Sequence, residues 1–247
     1  MIDIAMISWR REEYTLKSVT HLIERTSIPF RLIMVINEFD RPETRGLIER
    51  VATKAGKHGM KGNQLLFIAN NENEGLPIAK NQALEFVESD IYIDTDNDIL
   101  CPFLEPCWLT QLLALMDSHS DFAAIALRTH IFVADGNFFF GRTEPVVERN
   151  HVGGSLRAMK SEEVRRVGGW VPVPGRGSEE RDICGKLRRG GWKVGYTREV
   201  ISYHMFGRNW GYEDLPAKEH GHSDRLAPTI HTYDRNLDPN SFKIKEK

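Results

Sequence analysis

Short apolar runs alternate with amphipathic stretches along the first hundred residues of the chain. The apolar runs are typical of buried parallel strands, and they lie at 2–8, 30–36, 64–70 and 90–95. The stretches between them have apolar side chains at helical spacing, and they cover 12–25, 43–56 and 76–89. This alternation predicts an α/β fold with a Rossmann-like, mostly parallel central sheet and helices on both faces.

The pattern becomes less regular after residue 98. In order, it predicts a helix led by prolines over 102–119, two strands within 122–140, a charged loop over 141–150, and a strand, a short helix and a turn over 151–170. A capped helix then begins at Ser178 and ends at Gly190–Gly191, before a strand that includes KVGY. A separate last strand covers 199–206, and 207–247 is predicted to be an irregular tail or lid.

Residues 91–100, IYIDTDNDIL, place three carboxylates at every second position, at Asp94, Asp96 and Asp98. They follow a predicted strand of an open α/β sheet, at the end where such sheets bind ligands. Carboxylates this close repel one another, and each close pair costs on the order of 1 kcal/mol unless a cation offsets it. Because hard oxygen ligands suit Mg²⁺ or Mn²⁺, the segment predicts a divalent metal site.

Three other interpretations of this acidic segment stay open. A calcium loop of the EF-hand type would use the same carboxylates and Glu105, but Ile99 stands where that loop needs glycine. A phosphatase nucleophile motif has Asp-x-Asp followed by Thr or Val, but Asp98 stands at that fifth position here. Such a motif also usually lies at the start of its fold, and not after four strand–helix units. An acidic loop that binds no metal is the third interpretation.

Composition limits the classes of function. A net charge of −2, without a long basic run, makes nucleic acid an unlikely partner. The three cysteines form no CxxC pair, which argues against a disulfide framework and fits a reducing compartment. No apolar run approaches the ~20 residues of a membrane span. The first residues, MIDIAMISW, lack the basic region of a signal peptide, so we expect a cytoplasmic protein without a transmembrane segment.

From about Ile2 to about Phe206, the chain resembles the inverting family 2 of glycosyltransferases, which have the GT-A fold. The resemblance rests on five segments in the correct order, namely Ser8-Trp9-Arg10, GLPIAKN at 75–81, the DxD motif Asp94-Thr95-Asp96, GGSLRAMK…VGGW at 153–170, and SEERDICGKLRRGGWKVGY at 178–196. One DxD motif alone would be weak evidence, but five ordered segments are strong evidence.

The resemblance implies one GT-A catalytic domain over 1–206, followed by the tail or lid over 207–247. Residues 1–98 would bind a nucleotide diphosphate sugar, and 99–206 would bind a hydroxyl acceptor such as a glycan or a lipid-linked sugar. Transfer would depend on Mn²⁺ or Mg²⁺, which acts as a Lewis acid on the leaving group. It would need only one protein base, to deprotonate the acceptor hydroxyl.

The resemblance also implies a set of metal and donor residues. Asp96 would bind the metal directly, Asp94 would contact the ribose or the metal through water, and His204 would be a further metal ligand. The implied nucleotide-sugar contacts are Ser8, Arg10, Asn37, Lys80 and Asp94. Asn37 stands where many members have an Asp that reads uracil, so the nucleobase stays open. Lys80 replaces a frequent Arg, and it is either a phosphate contact or a helix-surface lysine.

The resemblance places the catalytic base in the acidic start of the helix at 178–189. Glu180 aligns with the family's catalytic Asp, Glu179 with the Glu before it, and Asp182 with a second Asp. Glu180 is one methylene longer than Asp, and a slip of one residue would make Glu179 the base. The three acids also suit the positive end of a helix dipole without any catalytic role.

Two other functions remain as alternatives. A nucleotidyltransferase would share the sheet and the metal carboxylates, but it would need a Gly-rich phosphate loop that WRREEYT does not provide. The second alternative is a non-catalytic sugar-nucleotide-binding protein, because Glu180 stands where the family has its catalytic aspartate.

Several aromatic and histidine residues have more than one interpretation. Trp170 either stacks on an acceptor sugar or is a buried aromatic of a turn. Trp210 and Tyr212 either close over the substrate or pack onto the core. His220 and His222 are expected to be solvated residues of the tail.

Overall fold

The computed structural model of the protein describes residues 1–129, 142–173, 178–205, 229–232 and 243–245. The strands are β1 (Ile2–Trp9), β2 (Phe30–Asn37), β3 (Leu65–Ala69), β4 (Ile91–Asp96), β5 (Ile99–Leu100), β6 (Phe122–Thr129), β7 (Val146–Arg149), β8 (Arg157–Lys160), β9 (Lys193–His204), β10 (Thr229–Thr232) and β11 (Lys243–Lys245). The helices are α1 (Glu12–Arg25), α2 (Pro42–Lys57), α3 (Leu76–Glu85), α4 (Trp108–Ser118), α5 (Ser161–Arg166) and α6 (Ser178–Arg189). A single 3₁₀ turn, Gly62–Gln64, precedes β3.

The strands of the described residues form one sheet in the order β11-β10-β3-β2-β1-β4-β8-β6-β9-β5, with β7 paired to β9. The four strands β3, β2, β1 and β4 are parallel neighbours. Strand β8 is antiparallel to both β4 and β6, whereas β6 and β9 are parallel. The prediction of a largely parallel α/β sheet is confirmed.

Helices cover both faces of the sheet, as the alternating side chains of the strands require. On one face, Ile4 and Met6 belong to a core cluster that includes buried residues of α1, α2 and α4. On the other, Ala5 and Ile7 share a cluster with residues of α3, α5 and α6. Each strand of the parallel half is therefore buried on two sides, which explains its continuous apolar sequence.

Some predicted boundaries are wrong. Helix α4 begins at Trp108, because Pro102 and Pro106 disfavour helix at and before their own positions. Helix α3 ends at Glu85 and does not reach residue 89.

Three predictions of strand content also need correction. Val146–Arg149 lies in the predicted charged loop but forms β7 along β9. The two strands predicted over 193–206 form the single strand β9. In the predicted irregular tail, β10 pairs antiparallel with β3 and β11 pairs with β10. The second strand predicted within 122–140 falls mainly on 130–141, outside the described residues, and the division into domains stays a prediction.

Among the described helices, none combines the length and the apolar character that crossing a membrane requires.

A buried carboxylate, Asp3, joins three elements at the amino-terminal edge of the sheet. It accepts hydrogen bonds from Nε of Arg31 at 2.7 Å, from the backbone amide of Glu88 at 2.7 Å and from that of Ser89 at 2.9 Å. Burial by itself would raise the pKa of Asp3, but Arg31 and the two amides more than offset it and hold the pKa below its usual value.

We expect Asp3→Asn to lower the free energy of unfolding by about 1–3 kcal/mol at pH 7. The NH₂ group of the new amide would face N–H donors of Arg31, Glu88 or Ser89, and it cannot accept their hydrogen bonds. The folded-state pKa of Asp3 is depressed, so its contribution is present above the unfolded-state pKa and is lost as pH falls through the folded-state value. Urea unfolding at pH 7 and pH 3 should show the difference between variant and wild type shrinking in acid.

The matched control is Glu88→Gln. Glu88 also bonds to Arg31, but its side chain is 80% exposed, so a change below about 0.5 kcal/mol is expected. A difference between Asp3→Asn and wild type that did not depend on pH would contradict the role assigned to the Asp3 charge.

Candidate functional site

The carboxyl ends of β1, β2 and β4 meet at one edge of the sheet. In the register of these parallel strands, Ile7 lies beside Asp96 and Trp9 lies beside Asn37. The predicted donor residues at the ends of the three strands are thereby brought to one side of the molecule. This edge is the usual ligand position in an open α/β sheet.

Asp94 lies beneath this edge and not on it. Its Oδ2 accepts hydrogen bonds from Nζ of Lys80 at 2.7 Å and from Nη2 of Arg157 at 2.5 Å. All three side chains are at most 2% exposed. Neither Asp94 nor Lys80 is open to a ligand in this arrangement, and the ribose or metal contact of Asp94 and the phosphate contact of Lys80 stay predictions.

Asp96 lies two residues further along β4, beside a glycine that makes room for it. Its backbone amide donates to the carbonyl oxygen of Gly154 at 2.9 Å. A Cβ atom on Gly154 would lie 2.7 Å from Oδ1 of Asp96, so no larger residue fits there without a shift. Burial raises the pKa of Asp96 well above its usual value; Lys80 opposes this rise, and Glu180, Asp98 and Asp94 add to it. A cation near Asp96 would relieve this repulsion.

Asp98 and His204 are brought together by the pairing of β5 with β9. Ile99 lies opposite His204, and the amide of Met205 donates to the carbonyl oxygen of Asp98 at 2.8 Å. His204 Nε2 lies 3.6 Å from Oδ1 of Asp98, and this oxygen is buried and accepts no hydrogen bond within the described residues. Oδ2 of Asp98 accepts from Nη1 of Arg11 at 3.3 Å.

Asp98 was assigned no separate role by sequence reasoning, although it was one of the three alternating carboxylates. Because Asp94 is bonded to Lys80 and Arg157, Asp96-Asn97-Asp98 is a second candidate for the D-x-D pair, in which Asp98 is itself 4% exposed. The spacing is the same as in the predicted motif, shifted by two residues.

The residues at the edge fit a divalent cation that arrives with a diphosphate. Carboxylate oxygens of Asp96 and Asp98 are ligands of the type that Mn²⁺ and Mg²⁺ prefer, and His204 adds an imidazole nitrogen. In the part of the chain that is described, no three acidic, histidine or cysteine side chains already converge as a preformed metal cage. Proteins commonly hold such ions through one or two carboxylates together with substrate phosphates.

Glu180 is the member of the predicted acidic trio that reaches this region. A Cβ atom on Gly153 would lie 3.6 Å from Oε2 of Glu180 and 3.5 Å from the hydroxyl of Tyr196. The carboxylates of Glu180 and Asp96 therefore lie against the neighbouring residues Gly153 and Gly154. Tyr196, whose pKa burial raises to about 12, accepts a hydrogen bond from the amide of Gly153 at 2.7 Å.

The other two acids of α6 are less well placed. Asp182 forms an ion pair with Lys186, one turn further along the same helix, at 2.8 Å. Glu179 is partly buried at the start of the helix. Among the described residues, Glu180 is the member of the predicted catalytic trio whose carboxylate lies beside the segment 153–154.

The end of β1 presents two arginines beside the site. Ser8 is 2% exposed, and its hydroxyl lies 3.1 Å from that of Thr15, so it packs inward. Arg10 donates to the two carboxylate oxygens of Glu38 at 2.9 and 3.3 Å. Arg10 and Arg11 both have positive φ angles, 52° and 56°, which turn the chain sharply between β1 and α1.

Asn37 lies at the expected edge but inside a chain of amides. Its Oδ1 accepts a hydrogen bond from Asn70 at 2.8 Å, and its Nδ2 donates one to Asn73 at 3.0 Å. Asn37 as a whole is 1% exposed. Asn70 is bonded in turn to Gln82. Asn37 is thus placed to orient Asn73, and a direct contact with a nucleobase stays a prediction.

Trp170 is the buried aromatic of a turn, and its alternative role in stacking on an acceptor does not fit its 2% exposure. Asn81 holds it through both backbone groups, accepting from the amide at 2.9 Å and donating to the carbonyl at 2.7 Å. The predictions for Trp210, Tyr212, His220 and His222 lie outside the described residues.

The family model described as Glycosyl transferase family 2 matches residues 3–168. No curated protein matches the chain in sequence. Many solved structures are similar to it in fold, and the following three are among them. The mannosyltransferase PcManGT from Pyrobaculum calidifontis, in complex with GDP-Man and Mn²⁺, has a TM-score of 0.68 at 16% identity over 85% of this chain.

The S. aureus protein TarS, residues 1–349, in complex with UDP-GlcNAc, has a TM-score of 0.61 at 13% identity over 87% of this chain. GalNAc-T7 with UDP, GalNAc and Mn²⁺ has a TM-score of 0.58 at 14% identity over 83% of this chain. The chain spans 58%, 61% and 44% of the lengths of these three proteins, respectively.

Proposed function

Because this chain belongs to glycosyl transferase family 2, we propose that it transfers a sugar from a nucleotide diphosphate sugar to a hydroxyl acceptor, with inversion at the anomeric carbon. The observation that carries the proposal is the approach of Glu180 and Asp96 to the adjacent residues Gly153 and Gly154. This arrangement supports a role for Glu180 as the base beside Asp96 as a metal ligand.

On the donor side, Asp96, Asp98 and His204 would hold Mn²⁺ or Mg²⁺ together with the diphosphate. When bound, the cation supplies Lewis-acid stabilisation of the negative charge on the leaving diphosphate. Arg11, which contacts Asp98 at 3.3 Å, lies close enough to exchange this carboxylate for a phosphate oxygen. The similar structures that contain GDP-Man with Mn²⁺, or UDP with Mn²⁺, support this part of the proposal.

On the acceptor side, Glu180 would accept the proton of the attacking hydroxyl. The acceptor oxygen then forms a bond to the anomeric carbon, while the bond from that carbon to the diphosphate oxygen breaks and its electron pair leaves with the nucleoside diphosphate. Attack from the face opposite the leaving group inverts the configuration. A glycan or lipid-linked sugar would present such a hydroxyl.

The alternatives are less well supported by the site. A nucleotidyltransferase would need a Gly-rich phosphate loop after β1, where this chain has Arg10 and Arg11. A non-catalytic binder would not need Glu180 near Asp96. The three cysteines are free and buried, which suits the reducing cytoplasm that we propose as its location.

The direct test is a thermal-shift panel of UDP, GDP, dTDP and CMP sugars, with and without MnCl₂. We expect one nucleotide class to stabilise the protein in the presence of the metal, because a ligand at 100 times its Kd adds about 2.7 kcal/mol to the free energy of unfolding. Turnover is then measured as nucleoside diphosphate release. Folded protein that responds to no nucleotide sugar would refute the donor site.

A further inference from the structure

The buried ion cluster of Lys80, Asp94 and Arg157 lies directly beneath the proposed catalytic edge. It joins α3, β4 and β8, and the ring of Trp170 covers both cations, at 4.4 Å from Nζ of Lys80 and 4.9 Å from Cζ of Arg157. The proposed transfer reaction uses none of these side chains directly. Their burial nevertheless carries a large desolvation free energy, because charged groups are strongly disfavoured in an apolar interior.

Arg157 has two partners on opposite sides of the catalytic edge. Its Nη2 donates to Asp94, two residues before Asp96 on β4, and its Nη1 donates to the carbonyl oxygen of Val152 at 2.7 Å. Val152 immediately precedes Gly153 and Gly154, and the carboxylates of Glu180 and Asp96 lie where a Cβ atom on each of these glycines, respectively, would meet them. One rigid, planar guanidinium therefore links the strand that carries Asp96 to the segment 152–154, in addition to the direct bond from the amide of Asp96 to the carbonyl oxygen of Gly154.

We propose that Arg157 is a positioning residue that sets the relative placement of Glu180 and Asp96, an inference that rests on the proposed function of these two carboxylates. Lys80 independently anchors Asp94, so β4 keeps one cationic partner if Arg157 is changed. On the segment 152–154, Gly154 would keep its bond from the amide of Asp96, whereas the carbonyl oxygen of Val152 would keep only a long contact with Sγ of Cys184, at 3.8 Å, among the contacts of the described residues. Loss of the Arg157 fork should therefore disturb the base side of the site more than the donor side.

The first test is Arg157→Lys, which keeps the charge but removes the planar fork. We expect the donor KM and the thermal shift with the donor and MnCl₂ to stay within about threefold of wild type, whereas kcat falls about 100-fold, since small misplacements of catalytic groups have effects of this size. Turnover is measured as nucleoside diphosphate release, with water as the acceptor where no sugar acceptor is known.

Hydrogen exchange gives a measurement that does not depend on the reaction. Peptides covering 152–156 should exchange about tenfold faster in Arg157→Lys, while peptides from β1 and β2 keep wild-type rates. If wild type binds the donor but never turns over, the proposed function fails, and the exchange result still decides whether Arg157 holds the segment. Unchanged exchange and unchanged kcat would each overturn the inference.

A second variant protects the test against a failure of Arg157→Lys to fold. Tyr196→Phe removes the hydroxyl that accepts from the amide of Gly153, on the same segment, and changes the side-chain volume very little. We expect faster exchange at 152–156 and about a tenfold lower kcat, again with the donor KM preserved. A rise in KM equal to the fall in kcat would point to general loosening and would contradict a positioning role.

The matched control is Arg165→Lys. Arg165 also bonds backbone carbonyls, those of Leu84 and Val87 at 3.0 and 2.5 Å, but these lie at the end of α3 and not at the catalytic edge. Its kcat, KM and exchange at 152–156 are expected to match wild type. A loss of kcat in this control equal to that of Arg157→Lys would show that the effect is one of general stability.

Discussion

Glu180→Gln should reduce turnover by about 10³-fold while leaving the binding of the nucleotide sugar unchanged. The substitution keeps the size and shape of the side chain but removes its ability to accept a proton, and general bases typically contribute 10²–10⁴-fold to a rate. Glu180 lies beside Gly153, whereas Asp96 lies beside Gly154, so the substitution should leave the position of the donor carboxylate unchanged. It also removes the repulsion by which Glu180 raises the pKa of Asp96, which favours the charged form that binds a metal. The measurement is single-turnover release of nucleoside diphosphate, beside thermal shift with donor and MnCl₂.

Two neighbouring substitutions serve as controls for Glu180→Gln. Asp182→Asn removes an ion pair with Lys186 on the same helix, and nearly wild-type turnover is expected. Glu179→Gln tests a slip of one residue, and a large loss there with normal turnover in Glu180→Gln would transfer the role of base to Glu179. Glu180→Asp, one methylene shorter, should keep part of the activity, because the carboxylate is retained but displaced.

The parallel half of the fold was predictable because its signals are local. Each apolar run between 2 and 96 is buried on both sides, so its sequence shows the strand directly. The second half depends on partners that are distant in sequence. Val146–Arg149 forms a strand because it pairs with β9, and Thr229–Thr232 because it pairs with β3. Neither segment has an apolar pattern that would indicate a strand.

The sequence predicts where the acidic segment lies in the fold, but it does not indicate which pair of its carboxylates would face a ligand. Asp94, Asp96 and Asp98 have the same residue type and the same spacing, so the sequence offers no way to decide which pair faces a ligand. The bonds of Asp94 to Arg157, which is 63 residues away in sequence, and to Lys80 favour the pair Asp96 and Asp98, and these partners could not be predicted from the motif. The buried state of Asn37 likewise depends on Asn70 and Asn73, which form a network that no motif indicates.

Asp98→Asn is expected to weaken metal-dependent donor binding by about 100-fold or more, although the sequence motif alone assigns the metal to Asp94 and Asp96. Oδ1 of Asp98 is buried, accepts no hydrogen bond within the described residues and lies 3.6 Å from Nε2 of His204, so a cation would meet both groups at once. Changes even to groups that only support metal ligands cost 10–100-fold in affinity, as an order of magnitude. Titration with MnCl₂ at fixed nucleotide sugar measures the loss.

Asp94→Asn should behave in the opposite way, and the comparison decides the register of the motif. It leaves the charges of Lys80 and Arg157 buried without their carboxylate, which should lower the free energy of unfolding by about 3–5 kcal/mol. Protein that remains folded should still respond to MnCl₂. Asp40→Asn, at an exposed ion pair with Arg45, controls for loss of charge. If Asp94→Asn instead kept its stability and lost the manganese response, while Asp98→Asn bound normally, Asp94 would be the ligand and the pair Asp96-Asn97-Asp98 would not form the metal site.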